Sequence, residues 1–269
     1  MVKLILTHPG QAHADDYLAC AIALAINPEA TLERRVPTKL ELDNPEIWVI
    51  DQGGVYDIEK GCFDHHHLTE QVCSVDLVLI AATMQTVATD TYPWLTTMSL
   101  QDCKGLKALA DELKVPIGTI NKLRGIQYLN LKIFETLEGQ TRTDMMRAIG
   151  KEFFKGIDDR IHALKDITTG MIDTVDINGF TVVDMRHARG AYWLYMQEAL
   201  NGGYMPELSI RKDGFTDNNR WVLYSSKPYG PKLGQLQGCP GVTFIHKNEF
   251  LAVVDNSQDP FEFIQTYVH

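Results

Sequence analysis

Ile47-Trp48-Val49-Ile50-Asp51-Gln52-Gly53-Gly54 reads as a short apolar strand that delivers an aspartate into a glycine turn. Four consecutive apolar residues bounded by turn formers fit a strand buried on both faces, the habit of parallel sheets. Upstream, Lys3-Leu4-Ile5-Leu6-Thr7 is a second β-type run, and His8-Pro9-Gly10-Gln11-Ala12-His13-Ala14-Asp15 follows as a loop. From Asp16 to Ala25 the chain is rich in Ala and Leu and reads as a helix that stops ahead of Asn27-Pro28. Strand, helix and strand predict a parallel α/β sheet, in which ligands gather outside the carboxyl ends of the strands. His8 and Asp51 both stand at such ends.

Beyond Asp64-His65-His66-His67 the chain is expected to be mainly helical to about residue 170. Ser74 to Thr86, Thr91 to Met98, Leu106 to Leu113, Ile117 to Leu137 and Arg142 to Lys165 carry apolar residues at helical intervals. Strand-like runs then take over: Phe180 to Val183, Glu207 to Ile210, Trp221 to Tyr224, Val242 to His246 and Phe250 to Val254. Turn signals at Asn178-Gly179, Asp213-Gly214 and Gly238-Cys239-Pro240-Gly241 separate them. The expected division is a parallel-sheet α/β domain over 1–168 and a smaller α+β domain over 169–269.

Composition narrows the function classes. A net charge of −10 argues against a passive nucleic-acid-binding surface, which needs a basic footprint. It leaves open an enzyme acting on phosphates, because bound cations supply positive charge locally. No apolar run approaches bilayer length, and the opening apolar stretch is too short for a signal-peptide core, so a soluble cytoplasmic protein is expected. The five cysteines lack a CxxC spacing and are odd in number, which disfavours a disulfide framework or a thiolate zinc site.

Five of the nine histidines (His8, His13, His65, His66, His67) lie in the first quarter of the chain beside Asp15, Asp16, Asp51 and Asp64. Taken singly, each reads as a cap or turn residue. Structural needs do not explain three consecutive histidines together with a second His/Asp cluster at strand ends. Nitrogen and carboxylate donors without thiolates suit Mn²⁺, with Mg²⁺, Zn²⁺ or Fe²⁺ as alternatives. Two such ions about 3.5–4 Å apart clamp the oxygens of an in-line phosphoryl displacement, and a strand-end carboxylate such as Asp51 can be shared by both.

Thr7-His8, His13-x-Asp15, Leu18-Ala19-Cys20-Ala21, Val49-Ile50-Asp51-Gln52-Gly53-Gly54-Val55-Tyr56-Asp57 and Phe63-Asp64-His65-His66 resemble the DHH phosphoesterase superfamily. In order and wording they are similar to its melanocyte-proliferating-gene exonuclease branch. Gly238 to His246 and Ser226-Lys227-Pro228 resemble that branch's second domain, with Lys227 in place of an Arg. The resemblance implies a DHH-type domain facing the smaller domain across a cleft. It implies one metal held by His8, His13 and Asp51. The second would be held by Asp15, Asp51, His65 and a further aspartate. Asp76, Asp90, Asp102, Asp158 and Asp159 are the candidates for that aspartate. Asp102, at the end of a helix over Tyr92 to Gly105, matches the family's placement best, although Cys103-Lys104-Gly105 departs from its usual Asn-Gly. His66 would face the substrate phosphate, and Asp64 would orient the neighbouring imidazoles. His67 lies beyond the motif. Arg211 and His246 are the substrate-gripping choices in the second domain.

The function so implied is metal-dependent phosphodiester hydrolysis, 3′–5′ exonuclease-like on RNA or short oligonucleotides, by a chain that leaves room for a homodimer. Rivals keep the site but change the substrate to pyrophosphate, polyphosphate or a small nucleotide, or lose turnover and leave a metal- and nucleotide-binding regulator. Amide hydrolysis has no sequence feature in its favour.

Overall fold

Five strands gather the first part of the chain: β1 (Leu4–Thr7), β2 (Thr31–Arg34), β3 (Ile47–Ile50), β4 (Tyr56–Asp57) and β5 (Cys62–Phe63), ordered β2-β1-β3-β5-β4. The structure is a computed structural model that describes residues 1–169, 172–188, 206–213, 220–226 and 230–269. It separates into two compact units, Met1–Ile157 and Asp158–His269. In the first unit β2, β1, β3 and β5 run parallel, and only β4 is antiparallel to its neighbour β5. Thr7 lies opposite Ile50, and Ile50 opposite Phe63. The residues that leave these three strands, His8, Asp51 and Asp64, therefore stand side by side along one edge of the sheet, at strand spacings of about 4.8 Å.

Helix α1 (Ala14–Ile26) covers this sheet, with its residues from Leu18 to Leu24 buried. Its apolar face packs into a core with Ile5, Ile50, Phe63, Val75, Val78, Leu79 and Phe134. A short helix α2 (Lys39–Leu42) precedes β3. The helical stretch expected from Ser74 breaks into α3 (Ser74–Ala81) and α4 (Gln85–Thr91), because Thr83 takes a left-handed φ of 57°. Helix α5 (Trp94–Leu113) is interrupted at Gly105, whose φ of 82° and ψ of 171° are not helical. The expected helix over Ile117 to Leu137 is likewise two, α6 (Ile117–Leu123) and α7 (Gly125–Thr136).

The long helix α8 (Gly139–Thr168) follows. It meets α1 at Gly150, where a Cβ would fall 2.0 Å from the Ala21 carbonyl oxygen and 2.9 Å from the Ala25 Cβ. Gly150→Ala is expected to lower unfolding free energy by about 1–3 kcal/mol through overpacking. That loss exceeds the helix-propensity gain of about 1 kcal/mol. Equilibrium urea denaturation checks it, and a variant at least as stable as the wild type would show that the two helices are not held this close.

In the second unit β6 (Asp173–Ile177), β7 (Phe180–Asp184), β8 (Leu208–Lys212), β9 (Arg220–Ser225), β10 (Val242–Ile245) and β11 (Leu251–Asp255) form a sheet ordered β10-β11-β9-β8-β7-β6. Among the described residues only β7 and β8 pair in parallel. Trp221, Leu223, Ala252 and Val254 from the sheet pack on Phe263 and Ile264 of helix α9 (Pro260–Tyr267), which Asp259 caps by accepting from the Phe261 and Glu262 amides. No helix among the described residues is long and apolar enough to cross a membrane.

Candidate metal centre

Asp51 leaves β3 with φ at 57°, a left-handed conformation that a non-glycine residue adopts at a cost. The turn it opens, with Gly53 and Gly54 also at positive φ, aims its carboxylate back across the strand ends. Ser74, the first residue of α3, donates from Oγ to Asp51 Oδ1 at 2.8 Å, and its amide donates to Asp15 Oδ2 at 3.3 Å. The positive end of α3 thus faces two of the expected ligands.

His65 Nε2 is the hub of the arrangement. It lies 3.1 Å from Asp51 Oδ1, 3.2 Å from Asp102 Oδ2 and 3.7 Å from Asp15 Oδ2. On the other side of Asp51, His8 Nε2 is 3.4 Å from its Oδ2. Donor atoms of His8, His13 and Asp51 fall within 4.8 Å of one another, as do those of Asp51, His65 and His66, and those of His13, Asp15 and Asp102. Asp51 belongs to two of these groups, the position a carboxylate shared between two ions would hold.

Electrostatics mark the cluster as under-compensated. Burial, followed by the charges of Asp51 and Asp102, raises the Asp15 carboxyl well above its ordinary range. Asp102 is raised too, chiefly by burial. Asp16 rises to about 6 for the same leading reason. Burial also works against an ionised Asp51, but the close approach of His65 and His8 and the Ser74 hydroxyl prevail and hold it below the usual carboxylate range. His8 is raised to about 9 by the adjacent Asp51 carboxylate, against burial and with help from Asp16. Burial resists charging His65, yet Asp51, Asp15 and Asp102 together lift it to about 9 as well.

A metal pair fits these residues. His8 Nε2 and Asp15 Oδ1 are buried without a hydrogen-bond partner, although His8 Nε2 is close to two carboxylates. Orphaned buried donors and acceptors are costly unless something fills their valence. Cys103 also lies within range of His65 and Asp102, but burial and Asp102 raise its thiol, which donates to the Val72 carbonyl. A protonated thiol is a poor ligand, so the donor set remains nitrogen and oxygen.

Ligation requires neutral imidazoles, so metal binding at pH 7 must expel protons from His8 and His65. Calorimetric titration of Mn²⁺ in buffers of different ionisation enthalpy should show about one to two protons released per chain. No buffer dependence would place the ion elsewhere. Both histidines are raised above their ordinary 6.5, so their contribution to metal-free stability is complete below that pH and is lost as pH rises through about 9.

The expected supporting groups take distinct places. Asp64 Oδ1 accepts from the His66 amide at 3.0 Å and pairs with His66 Nδ1 at 2.7 Å, while its Oδ2 accepts from the Gly54 amide at 2.6 Å. It orients one imidazole, that of His66, and ties it to the Asp51 turn. His66 is exposed, as is His67. Asp76 caps α3 by accepting from the Cys73 amide, and Asp90 and Asp158 are exposed. In the second unit Arg211 lies with its guanidinium 4.7 Å from the Tyr224 ring centre, and His246 packs on Phe250 with ring centres 4.3 Å apart. Lys227 lies outside the described residues.

Two residues of the cluster were not assigned roles from the sequence. Asp16 accepts from the His13 amide at 2.8 Å, capping α1, and lies 3.3 Å from His8 Nε2. The His13-x-x-Asp16 spacing is a capping signal, and only the fold shows that the cap also reaches His8, one of the expected ligands. Ser74 gave no signal at all.

A buried cluster of nitrogen and carboxylate donors at the carboxyl ends of parallel strands is suited to holding divalent ions. Residues 4–79 match the family model MYG1_exonuc, described as an uncharacterised protein family (UPF0160). That segment contains every motif residue from His8 to His66, as well as Ser74, so the resemblance to the MYG1-type branch holds where its motifs lie. A MYG1 protein of Chlamydia trachomatis serovar D is 25% identical over 292 aligned residues, covering 94% of this chain and 92% of that protein. A MYG1 protein of Chlamydia pneumoniae is 36% identical over 70 residues, covering 25% of this chain and 23% of that one. Among solved structures, the pGpG-specific phosphodiesterase PggH from Vibrio cholerae gives a TM-score of 0.30 at 13% identity, covering 95% of this chain and 94% of that chain. RecJ in complex with Mn²⁺ from Thermus thermophilus gives 0.28 at 14% identity, covering 98% of this chain and 50% of that chain.

Proposed function

We propose that this chain hydrolyses phosphodiesters at the ends of RNA or short oligonucleotides, in the 3′–5′ direction, using two divalent ions of which Mn²⁺ suits the donors best. The observation that carries the reading is the sharing of Asp51 between His8 on one side and His65 on the other, with Asp15 and Asp102 completing the second set. When bound, the ions would polarise the scissile phosphate and supply an activated water.

The chain's own residues do the rest. His8, His13 and Asp51 would hold one ion, and Asp15, Asp51, His65 and Asp102 the other. Ser74 fixes the Asp51 carboxylate and Asp16 braces His8. Asp64 anchors Nδ1 of His66, which leaves the Nε2 edge of that exposed ring for a phosphoryl oxygen. In the same reading residues 1–168 form the catalytic domain and 169–269 the smaller substrate-binding domain, where Arg211 and His246 grip the substrate. The five free cysteines support a reducing, cytoplasmic setting.

A 5′-labelled short RNA should be shortened stepwise from its 3′ end with release of mononucleotides when Mn²⁺ is added to chelator-treated protein. Undiminished cleavage by the metal-free protein would overturn the proposal.

A further inference from the structure

Beside the metal cluster the first unit holds a cavity of about 650 Å³. Its floor is shared with the proposed ligands His13, Asp15 and Asp102, and its far wall comes from α5 and the α6–α7 junction. Nothing in the reading above uses that wall. A second cavity, on the His65–His66 side of Asp102, measures only about 200 Å³. Sites for small organic ligands occupy about 300–1,000 Å³, so the larger cavity has room for a nucleoside and the smaller does not.

The chemistry of the far wall selects among phosphorylated ligands. Arg124 is the one cation among the lining residues. A polyphosphate chain calls for several cations, whereas the groups around Arg124 are carboxamides and a phenol: Gln11, Gln101, Asn121 and Tyr128. Carboxamides donate and accept on one edge, which matches the hydrogen-bonding edge of a base. An exposed aromatic ring offers a stacking face to any base. Tyr128 is 60% exposed, so its ring has a face to give.

Tyr128 is also tied to the metal-bearing loop. Lys132 Nζ lies 5.5 Å from its ring centre and donates to Glu135 Oε2 at 2.6 Å, while Glu135 Oε1 accepts from the Ala12 amide at 2.9 Å. Ala12 precedes His13. The helix carrying Tyr128 is therefore fixed relative to the loop that carries a ligand. Arg124 Nε donates to Gln127 Oε1 at 3.0 Å, and the side chain makes no ion pair among the described residues, leaving the rest of its guanidinium to the cavity.

We infer that this cavity is a nucleoside subsite: it takes the nucleoside adjoining the scissile phosphate, with Tyr128 stacked on the base and Arg124 and the carboxamides on its polar edge. The inference rests on the proposed phosphodiesterase reading for its orientation, but it can be tested by binding alone. The probe is a dinucleotide containing 2-aminopurine, joined by an uncharged methylphosphonate linkage that resists cleavage. Its fluorescence is quenched on stacking.

Wild-type protein should quench it saturably. Tyr128→Ala should weaken that binding at least about fivefold, the effect of losing one base–aromatic stack, and Tyr128→Phe should stay within about twofold. Arg124→Gln, which alters a different element, should weaken it about threefold to tenfold. Absence of saturable quenching by the wild type, or wild-type affinity in both Tyr128→Ala and Arg124→Gln, would overturn the subsite. Hydrolysis of the natural dinucleotide is measured in parallel. Tyr128-dependent binding without hydrolysis would sink the phosphodiesterase reading and leave the subsite standing. Hydrolysis with unchanged affinity in both variants would do the reverse.

Discussion

Asp51→Asn is expected to lower Mn²⁺-dependent phosphodiester cleavage by about a hundredfold to a thousandfold, the range for removing one group that stabilises developing charge. The substitution is chosen for what it spares. Asparagine adopts left-handed backbone readily, so the φ of 57° at this position costs no more than before. Its amide oxygen can still accept from Ser74 Oγ, which bonds Asp51 Oδ1 at 2.8 Å. What disappears is the negative charge that both His8 and His65 face. With it goes the atom pair able to serve two ions at once. Steady-state rates on a short labelled RNA provide the measure, with melting of the chelated protein as the control for folding. A variant that keeps more than about a tenth of wild-type activity would remove Asp51 from the shared position.

The second large effect concerns stability. Asp15, Asp51 and Asp102 crowd around His65, and Asp16 lies behind His8, so the metal-free site holds more buried negative charge than it can pair. The upward shifts of Asp15, Asp16 and Asp102, each led by burial, express that strain. Ions that bind the folded site and not the unfolded chain relieve it by mass action. At a concentration one hundred times the dissociation constant, one site contributes about 2.7 kcal/mol. For a domain of this size that corresponds to a rise in melting temperature of about 5–10 °C. Mn²⁺ should produce the shift, and a monovalent salt of equal ionic strength should not. Melting curves that stay fixed at Mn²⁺ concentrations saturating activity would contradict a site built into the core of the first unit. The shift should shrink as pH falls, because His8 and His65 hold their protons up to about 9 in the metal-free protein and must lose them to bind.

Legibility in the sequence followed the strength of local signals. The apolar runs at Leu4–Thr7 and Ile47–Ile50 were visible because both faces of those strands are buried, which leaves no polar alternation to blur them. β2, Thr31–Arg34, was not, since an edge strand of Thr-Leu-Glu-Arg buries only Leu32 and carries no apolar run. The two-residue strands β4 and β5 are too short for any period, and it is the pairing of β5 with β3 that sets Asp64 beside Asp51. Helix existence was more readable than helix breaks: Thr83 interrupts a periodic stretch by backbone conformation alone, with no proline to announce it, whereas the interruption at Gly105 falls where the expected helices over Tyr92 to Gly105 and Leu106 to Leu113 meet.

The candidate site was legible as a donor set and illegible as geometry. His8, His13, Asp15, Asp51 and His65 could be named from residue type and motif order, because metal chemistry restricts the donors. Asp102 lies 37 residues beyond His65, and only the path of α3 to α5 returns it to within 3.2 Å of that ring. Ser74 had no chance of being named, because a serine opening a helix is an ordinary cap until its neighbours are known. The cavity bounded by Arg124 and Tyr128 was hidden for a related reason. The sequence placed substrate contacts in the second domain, at Arg211 and His246, and an Arg and a Tyr four residues apart in a helical stretch read as surface.

Anomalous difference density from a crystal grown with Mn²⁺, measured at the manganese edge, tests the proposed dinuclear centre most directly. Two peaks about 3.5–4 Å apart are expected, one among His8, His13 and Asp51 and one among Asp15, Asp51, His65 and Asp102, with Asp51 touching both. A single peak that does not touch Asp51, or none at that cluster, would contradict the account.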